Sequence, residues 1–282
     1  MPHLASKLAN ETASLFAQAR ARKPFAKYNW FCDSPRSVPV VVSVTTFPKR
    51  VGSLRITLRT ILRQTVKPDK IVITLSAEEF PDKQPPAPLV DYATRGVEFI
   101  FADGNTKSYK KLLPALSRYP DAIIVTADDD VLYPRTWLKS LLDAHRGHPE
   151  AVIGHRGTRI LGSKNDLAPY VEWPQADIYT PASRIFLTGM GGILYPPRTL
   201  PDDVHDLTLA SSLCPTADDI WFKAMTLLHN TPAQKVSNGL GSFPTLRRAQ
   251  RNSLRSINVE QGRNELQFRN VMNHFDLWDR LC

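Results

Sequence analysis

The sequence predicts an α/β fold, with a mainly parallel, Rossmann-type sheet flanked by helices. Short β-branched runs have the length of buried strands, and apolar residues recur at helical spacing between them. Several runs stop abruptly in acidic or glycine-rich segments. Strands alternating with helices favour parallel neighbours covered on both faces, and such sheets bind ligands beyond the carboxyl ends of their strands.

From Leu4 to about Arg22 helix-forming residues place Leu4, Leu8, Leu15 and Phe16 on roughly one face. Arg20, Arg22, Lys23 and Lys27 follow, so residues 1–37 read as a helix and a basic linker. Pro35 and Pro39 bracket the start of Val40-Val41-Val42-Ser43-Val44, the first strand of a main domain spanning residues 38–240. Beyond Gly52-Ser53, Leu54, Leu58, Ile61 and Leu62 mark a helix, and Ile71 to Leu75 a second strand. Four prolines between Ser76 and Val90 argue for a loop. A third strand is expected at Val97–Ala102, a short helix at Lys110–Arg118 with Pro114 near its start, and a fourth strand at Ala122–Thr126. Farther on, Ile220–Leu228 reads as an apolar helix. Gln261–Phe275 reads as another, within a helical extension of residues 241–282 packed on the main domain.

Composition narrows the classes. The 282 residues are 42% hydrophobic and 22% charged, ordinary globular usage that can bury a sizeable core. No apolar run approaches the roughly 20 residues needed to span a bilayer, and no signal-peptide segment opens the chain, so the expected location is the cytoplasm. The 36 basic against 27 acidic side chains leave +9, which favours anionic partners without choosing among them. Cys32, Cys214 and Cys282 are far apart and form no CxxC pair, the pattern of reduced structural thiols. A P-loop, a GxGxxG turn, an HExxH helix and a GxSxG elbow are all absent.

The strongest chemical signal is the fourth strand delivering Asp128-Asp129-Asp130 at the edge where a parallel sheet binds ligands. Carboxylates two residues apart can approach one hard divalent cation, and that ion can hold a diphosphate; the alternative is an acidic turn capping the helix after Pro134. A second signal is Asp218-Asp219 directly before an apolar helix, a favourable cap or a general base. The third is the segment from Asp103 to Lys111. There Lys107, Lys110 and Lys111 could neutralise a diphosphate and Asp103 could accept hydrogen bonds from a base or ribose, unless the segment is only a solvated loop. Gly189, Gly191 and Gly192 either let backbone approach a ligand or make a tight turn.

Together, in this order and spacing, these features resemble a bacterial GT-A-type, family-2-like glycosyltransferase of capsule or lipopolysaccharide assembly, over about Val38 to His229. The resemblance rests on the first strand with Thr45-Thr46-Phe47-Pro48, on Asp128-Asp129-Asp130 as the family's DXD motif, on the glycine-rich segment and on Asp218-Asp219-Ile220-Trp221. It implies transfer of a sugar from a nucleotide-diphosphate donor, a UDP-sugar, to a glycan or lipid-linked glycan hydroxyl with inversion. By that resemblance Asp128 and Asp130 would hold Mn²⁺ or Mg²⁺, and Asp129 would face the donor sugar or ribose. Thr45, Thr46, Phe47 and Asp103 would hold the nucleoside, and Asp219, or failing it Asp218, would be the base. Gly191, Gly192 and Trp221 would stand on the acceptor side. A further metal ligand is open among His205, His229 and His274.

Two other classes fit parts of the sequence. A nucleotidyltransferase also needs carboxylate-held metal and a nucleotide on an α/β sheet. A basic nucleic-acid binder would use the Arg20–Lys27 group with Arg247, Arg248, Arg251 and Arg255, but these charges are not interleaved with a reading motif or an aromatic platform. The amphipathic N-terminal stretch and its basic neighbours suit either peripheral contact with the inner face of the membrane or docking on the main domain.

Overall fold

A computed structural model of the chain describes residues 11, 12, 15, 16, 19, 29–34, 36–177, 180–237, 243–246 and 262–281. In chain order the elements are β1 (Val40–Thr45), α1 (Val51–Ile61), β2 (Lys70–Ser76), α2 (Val90–Ala93), β3 (Glu98–Ala102), α3 (Leu113–Arg118) and β4 (Ile123–Ala127). There follow α4 (Trp137–Gly147), β5 (Val152–Gly154), β6 (Gly157–Arg159), β7 (Ile185–Leu187) and β8 (Ile193–Tyr195). The remainder is α5 (Leu207–Leu213), α6 (Asp218–Leu228), β9 (Ala233–Lys235) and α7 (Arg263–His274).

A seven-stranded sheet runs β3-β2-β1-β4-β8-β5-β9, and β6 and β7 form a separate antiparallel pair. β1 is parallel to β2 and β4, β2 to β3, and β5 to β9; β8 alone runs against its neighbours β4 and β5. The expected mainly parallel α/β sheet is therefore present. Its reversed strand was not foreseen, because β8 comes off a glycine turn and not off a crossover helix.

Side-chain alternation explains the two-sided burial. Val40, Val42 and Val44 enter one core with Leu54, Leu58 and Ile61 of α1 and Trp137, Leu138 and Leu141 of α4. Val41 enters the other, with Leu112, Leu113, Trp221, Phe222 and Phe268. Val72 and Ile124 repeat the pattern among apolar neighbours facing the other way, so each strand is buried on both sides. On α1, Leu54, Leu58 and Ile61 are fully buried at helical spacing, each worth roughly 1.5–3 kcal/mol against exposure.

Several boundaries differ from expectation. The proline-rich 76–90 loop contains a 3₁₀ turn at Ala87–Leu89 that leads into α2, since a proline is tolerated at the start of a helix. The helix expected from Lys110 is a 3₁₀ turn, Lys107–Lys111, followed by α3. Trp30, within the stretch expected as linker, is 6% exposed, lies 5.6 Å from the Tyr92 ring and carries the Arg95 guanidinium over its face. The N-terminal helix and the basic groups at 20–27 and 247–255 fall largely or wholly outside the described residues; of their apolar positions Leu15 and Phe16 are described and exposed. Cys32 and Cys214 are free thiols, while Cys282 is outside the described residues. Among the described residues no helix is long and apolar enough to cross a membrane.

The topology positions the site. From β1 the chain moves to β2 and β3 on one side, while β4 lies on the other, so the direction of winding reverses between β1 and β4. Their carboxyl ends part there and leave a crevice, the usual ligand position in open α/β sheets. Because β8 is antiparallel, its start, and the glycines before it, come to the same edge.

Candidate active site

Asp128, Asp129 and Asp130 emerge from β4 at that reversal. Their loop is fixed from outside: the Asp128 N–H donates to the Tyr133 hydroxyl at 2.8 Å, and the Leu246 N–H donates to the Asp130 carbonyl at 2.8 Å. Tyr133 is wedged between Trp137 and Phe243. Asp129 turns inward and is buried. Its Oδ2 accepts the Thr46 hydroxyl at 2.6 Å and its Oδ1 accepts Arg50 at 2.9 Å, which ties the exits of β1 and β4 together. Both carboxylate oxygens of the residue expected to face donor sugar or ribose are thus engaged by the protein. Arg50 also lies 3.3 Å from Asp130 Oδ2. Burial, then the Asp128 charge, pushes the Asp130 carboxyl up to about 6, and burial raises Asp129 against the pull of Arg50.

Asp128 pairs with Lys111, whose ammonium is 2.5 Å from Oδ1. Lys111 ends the Lys107–Lys111 turn, and Tyr109 in that turn donates its hydroxyl to the Cys214 carbonyl at 2.8 Å, pinning it to the segment that leads into α6. Burial disfavours the Lys111 charge, but Asp128 and Asp218 outweigh it and hold the ammonium protonated. Asp218 and Asp219 begin α6. The N-cap is Ala217, without a side-chain capping bond; Asp219 Oδ1 instead accepts the Gly189 N–H at 3.0 Å, and Asp218 is hydrogen-bonded to Ser108. Burial, then Asp218, pushes Asp219 up to about 7, while Asp218 is raised by burial and opposed by Lys111. A side chain at Gly189 would start 3.1 Å from Asp219 Oδ1 and 3.3 Å from the Lys111 ammonium. Of the glycines before β8, Gly189 is therefore the one that opens the site.

The other expected residues divide. Thr46 and Lys111 are inside the cluster. Thr45 donates to the Thr74 carbonyl at the end of β1, and Phe47 lies under the Arg50 guanidinium. Asp103 and Lys107 sit beyond β3 at the same edge, exposed, with Asp103 3.9 Å from Lys83. Lys110 is directed elsewhere: it is buried, with its ammonium on Asn105 at 2.6 Å and Glu79 at 3.3 Å. Gly191 and Gly192 have φ of +91° and +90°, and added Cβ atoms would stand 2.5 Å from Phe243 and 2.7 Å from the Thr126 carbonyl. These two form a buried elbow, not an open acceptor wall. Trp221, expected on the acceptor side, is fully buried and donates its indole N–H to the Val204 carbonyl, so it is core.

Among the described residues no histidine joins Asp128 and Asp130. His229 follows the last residue of α6, roughly 15 Å from Asp219 at 1.5 Å per residue, and bonds Thr231. His274 packs edge-on against Phe275, and His205 closes the 3₁₀ turn Asp202–His205. Among the described residues no group of three or more His, Cys, Asp or Glu side chains is set to hold a metal ion. Two carboxylates still fit a cation in their charge balance. Among the described residues, Arg50 and Lys111 are the cations that Asp128, Asp129, Asp130, Asp218 and Asp219 meet, and the mutual repulsion of these carboxylates adds to burial, the first cause, in raising Asp130 and Asp219. Asp128 Oδ2 and Asp130 Oδ1 accept no hydrogen bond from the described residues. Sequence reasoning missed Arg50, whose partner Asp129 is 79 residues away, and Tyr133, which is near Asp128 in the chain but carries no local motif.

No protein-family model matches the chain, and no curated protein matches it in sequence. Among solved structures it is similar to mannosyltransferase PcManGT from Pyrobaculum calidifontis in complex with GDP-Man and Mn²⁺. The identity is 17% and the TM-score 0.45, over 83% of this chain and 65% of that one. It is also similar to S. aureus TarS 1-349, at 12% identity and a TM-score of 0.43, over 73% of this chain and 59% of that one. The chain thus matches about two thirds or less of the length of either structure.

Proposed function

We propose that the chain is a glycosyltransferase that moves a sugar from a nucleotide-diphosphate donor, a UDP-sugar, to a hydroxyl of a glycan acceptor, with inversion, in surface polysaccharide assembly. What supports this most is one juxtaposition: Asp128 and Asp130 from β4 face Asp218 and Asp219 from α6 across the Lys111 ammonium, at the crevice where the sheet reverses. Donor diphosphate and acceptor hydroxyl need such opposed groups.

In this reading Asp128 and Asp130 hold a divalent cation, which when bound supplies positive charge to the diphosphate as it leaves. Lys111 and Arg50 add fixed positive charge on the same side. Asp219, aimed by the Gly189 N–H, takes the proton of the acceptor hydroxyl as its oxygen attacks the anomeric carbon. The anomeric carbon–oxygen bond to the diphosphate breaks in the same displacement, and its electron pair leaves with the nucleoside diphosphate. No enzyme nucleophile is required, so the anomeric configuration inverts.

A screen of UDP-, GDP-, CMP- and dTDP-sugars with Mn²⁺, read by thermal stabilisation and by slow donor hydrolysis, tests the proposal. A donor present at 100 times its Kd stabilises by about 2.7 kcal/mol. We expect stabilisation and hydrolysis with a UDP-sugar, both abolished by chelator. Failure of all donors, or release of pyrophosphate from a nucleoside triphosphate and a sugar phosphate, would overturn it; the latter is the nucleotidyltransferase outcome.

Peripheral contact with the membrane through the basic 20–27 segment belongs to the same reading, supported by the exposed Leu15 and Phe16 before it. Each basic residue near an anionic surface contributes on the order of 1 kcal/mol, and salt screens the attraction. The expected result is co-sedimentation with anionic vesicles at low salt and release at high salt. Equal binding to neutral vesicles, or binding that survives deletion of residues 1–27, would exclude it.

A further inference from the structure

The cations beside the aspartates are all matched: Arg50 by Asp129 and Asp130, Lys111 by Asp128, and Lys110 by Glu79. On the far side of Asp219 the balance is different. Arg156 leaves the end of β5 at the ligand edge of the sheet, is exposed and forms no ion pair among the described residues. Its guanidinium instead donates to the Met190 sulfur at 3.3 Å. Its carbonyl accepts the Thr188 N–H at 3.0 Å, so backbone and side chain both fasten Arg156 to the turn whose Gly189 N–H holds Asp219. The Tyr170 hydroxyl lies within the fields of both Asp219 and Arg156. Met190 is 39% exposed at this rim. On the next strand Lys235, in register with Gly154, bonds Gln175 and the Ala176 carbonyl and has no carboxylate partner among the described residues.

A single exposed arginine is ordinarily a solvated surface group. Here the guanidinium rests on Met190, the backbone is tied to Thr188 one residue before the Gly189 N–H that aims the base, and a second cation without a carboxylate partner among the described residues lies on the next strand. A neutral sugar acceptor would gain little from a fixed guanidinium, whereas a phosphate or carboxylate gains charge-assisted, planar hydrogen bonds. We infer that the acceptor carries an acidic group, a phosphodiester or a uronate carboxylate, which Arg156 binds while a neighbouring hydroxyl is presented to Asp219. This deepens the glycosyltransferase reading and rests on it for the role of Asp219, but the anion site itself is independent of it.

Ligand-observed NMR with the full chain tests the inference, with glycerol 1-phosphate and methyl glucuronide as anionic probes and methyl glucoside as the neutral one. The expected result is tighter binding of at least one anionic probe than of the glucoside, weakened about tenfold or more by Arg156→Ala. Arg198→Ala, which removes the same charge from beside Asp121 near the opposite edge, should leave it unchanged. A preference for one anionic probe names the acidic group. Equal binding of charged and neutral probes, anion binding that survives Arg156→Ala, or displacement of the anion by UDP with Mn²⁺ would overturn the inference; the last would place the anion in the donor crevice. Calorimetry of UDP and GDP with Mn²⁺ separates the two failures. Nucleotide binding without an Arg156-dependent anion site defeats only this inference, and an Arg156-dependent site without nucleotide binding defeats only the proposed function.

Discussion

Asp219→Asn is expected to lower turnover by about 10²-fold or more, the usual range for losing a general base, while donor binding by calorimetry changes little. Asparagine keeps the shape and still accepts the Gly189 N–H, so the loss isolates proton transfer. The pH profile sharpens the test. With Asp219 raised to about 7, the basic form grows as pH rises, so kcat/KM should climb about tenfold per unit below that point and level off above it. The residual rate of the asparagine variant should lack this limb. For stability the sign is opposite: a carboxyl raised above its unfolded value of 3.8 favours folding fully at low pH and loses that contribution as pH rises through about 7. Asp219→Asn should therefore not be less stable than the parent at pH 8, and a lower melting temperature there would attribute the lost activity to the fold. An unimpaired variant, or a product that retains the donor's configuration, would contradict the assigned role.

Asp130→Ala should remove nearly all turnover, about 10³-fold, and chelation should do the same to the parent enzyme. Asp130 stands on the loop beyond β4 and outside both cores, and Arg50 keeps Asp129 as its partner, so the melting temperature should change little. Removing Asp130 also relieves its repulsion with Asp128. Full activity of this variant in metal-free buffer would sink the metal assignment and with it the role of the β4 carboxylates.

Much of the half from β1 to β4 was legible because it is local. Val40–Val44, Ile71–Leu75 and Ile123–Thr126 are apolar runs broken only by Ser43, Thr74 and Thr126, and a parallel sheet buries such runs on both faces. Asp128 and Asp130 follow directly from where the last run stops. The half from β5 onward was less legible because its strands are three residues long, too short for any period to show, and because β8 enters backwards from a glycine turn. Trp221 was misread for a related reason: one residue beside an acidic pair carries no sign of which way a buried helix turns it. Lys110 and Lys111 are neighbours of the same type, yet one serves Glu79 and the other Asp128. Only the tight geometry of the 3₁₀ turn separates them.

The turn before β8 also limits which sequences this site can explore. Alanine at Gly192 would meet the Thr126 carbonyl at 2.7 Å and the Trp137 ring at 2.8 Å, and at Gly191 the Phe243 ring at 2.5 Å, both in a backbone region costly to side chains. Gly189 is crowded by Asp219 and Lys111. Met190, between them, is the position where a change of side chain leaves the frame intact. A library built on this turn therefore has one open letter in this four-letter word; diversity at Gly191 and Gly192 would be spent on chains that cannot close the turn, and at Gly189 on side chains that press on Asp219 and Lys111.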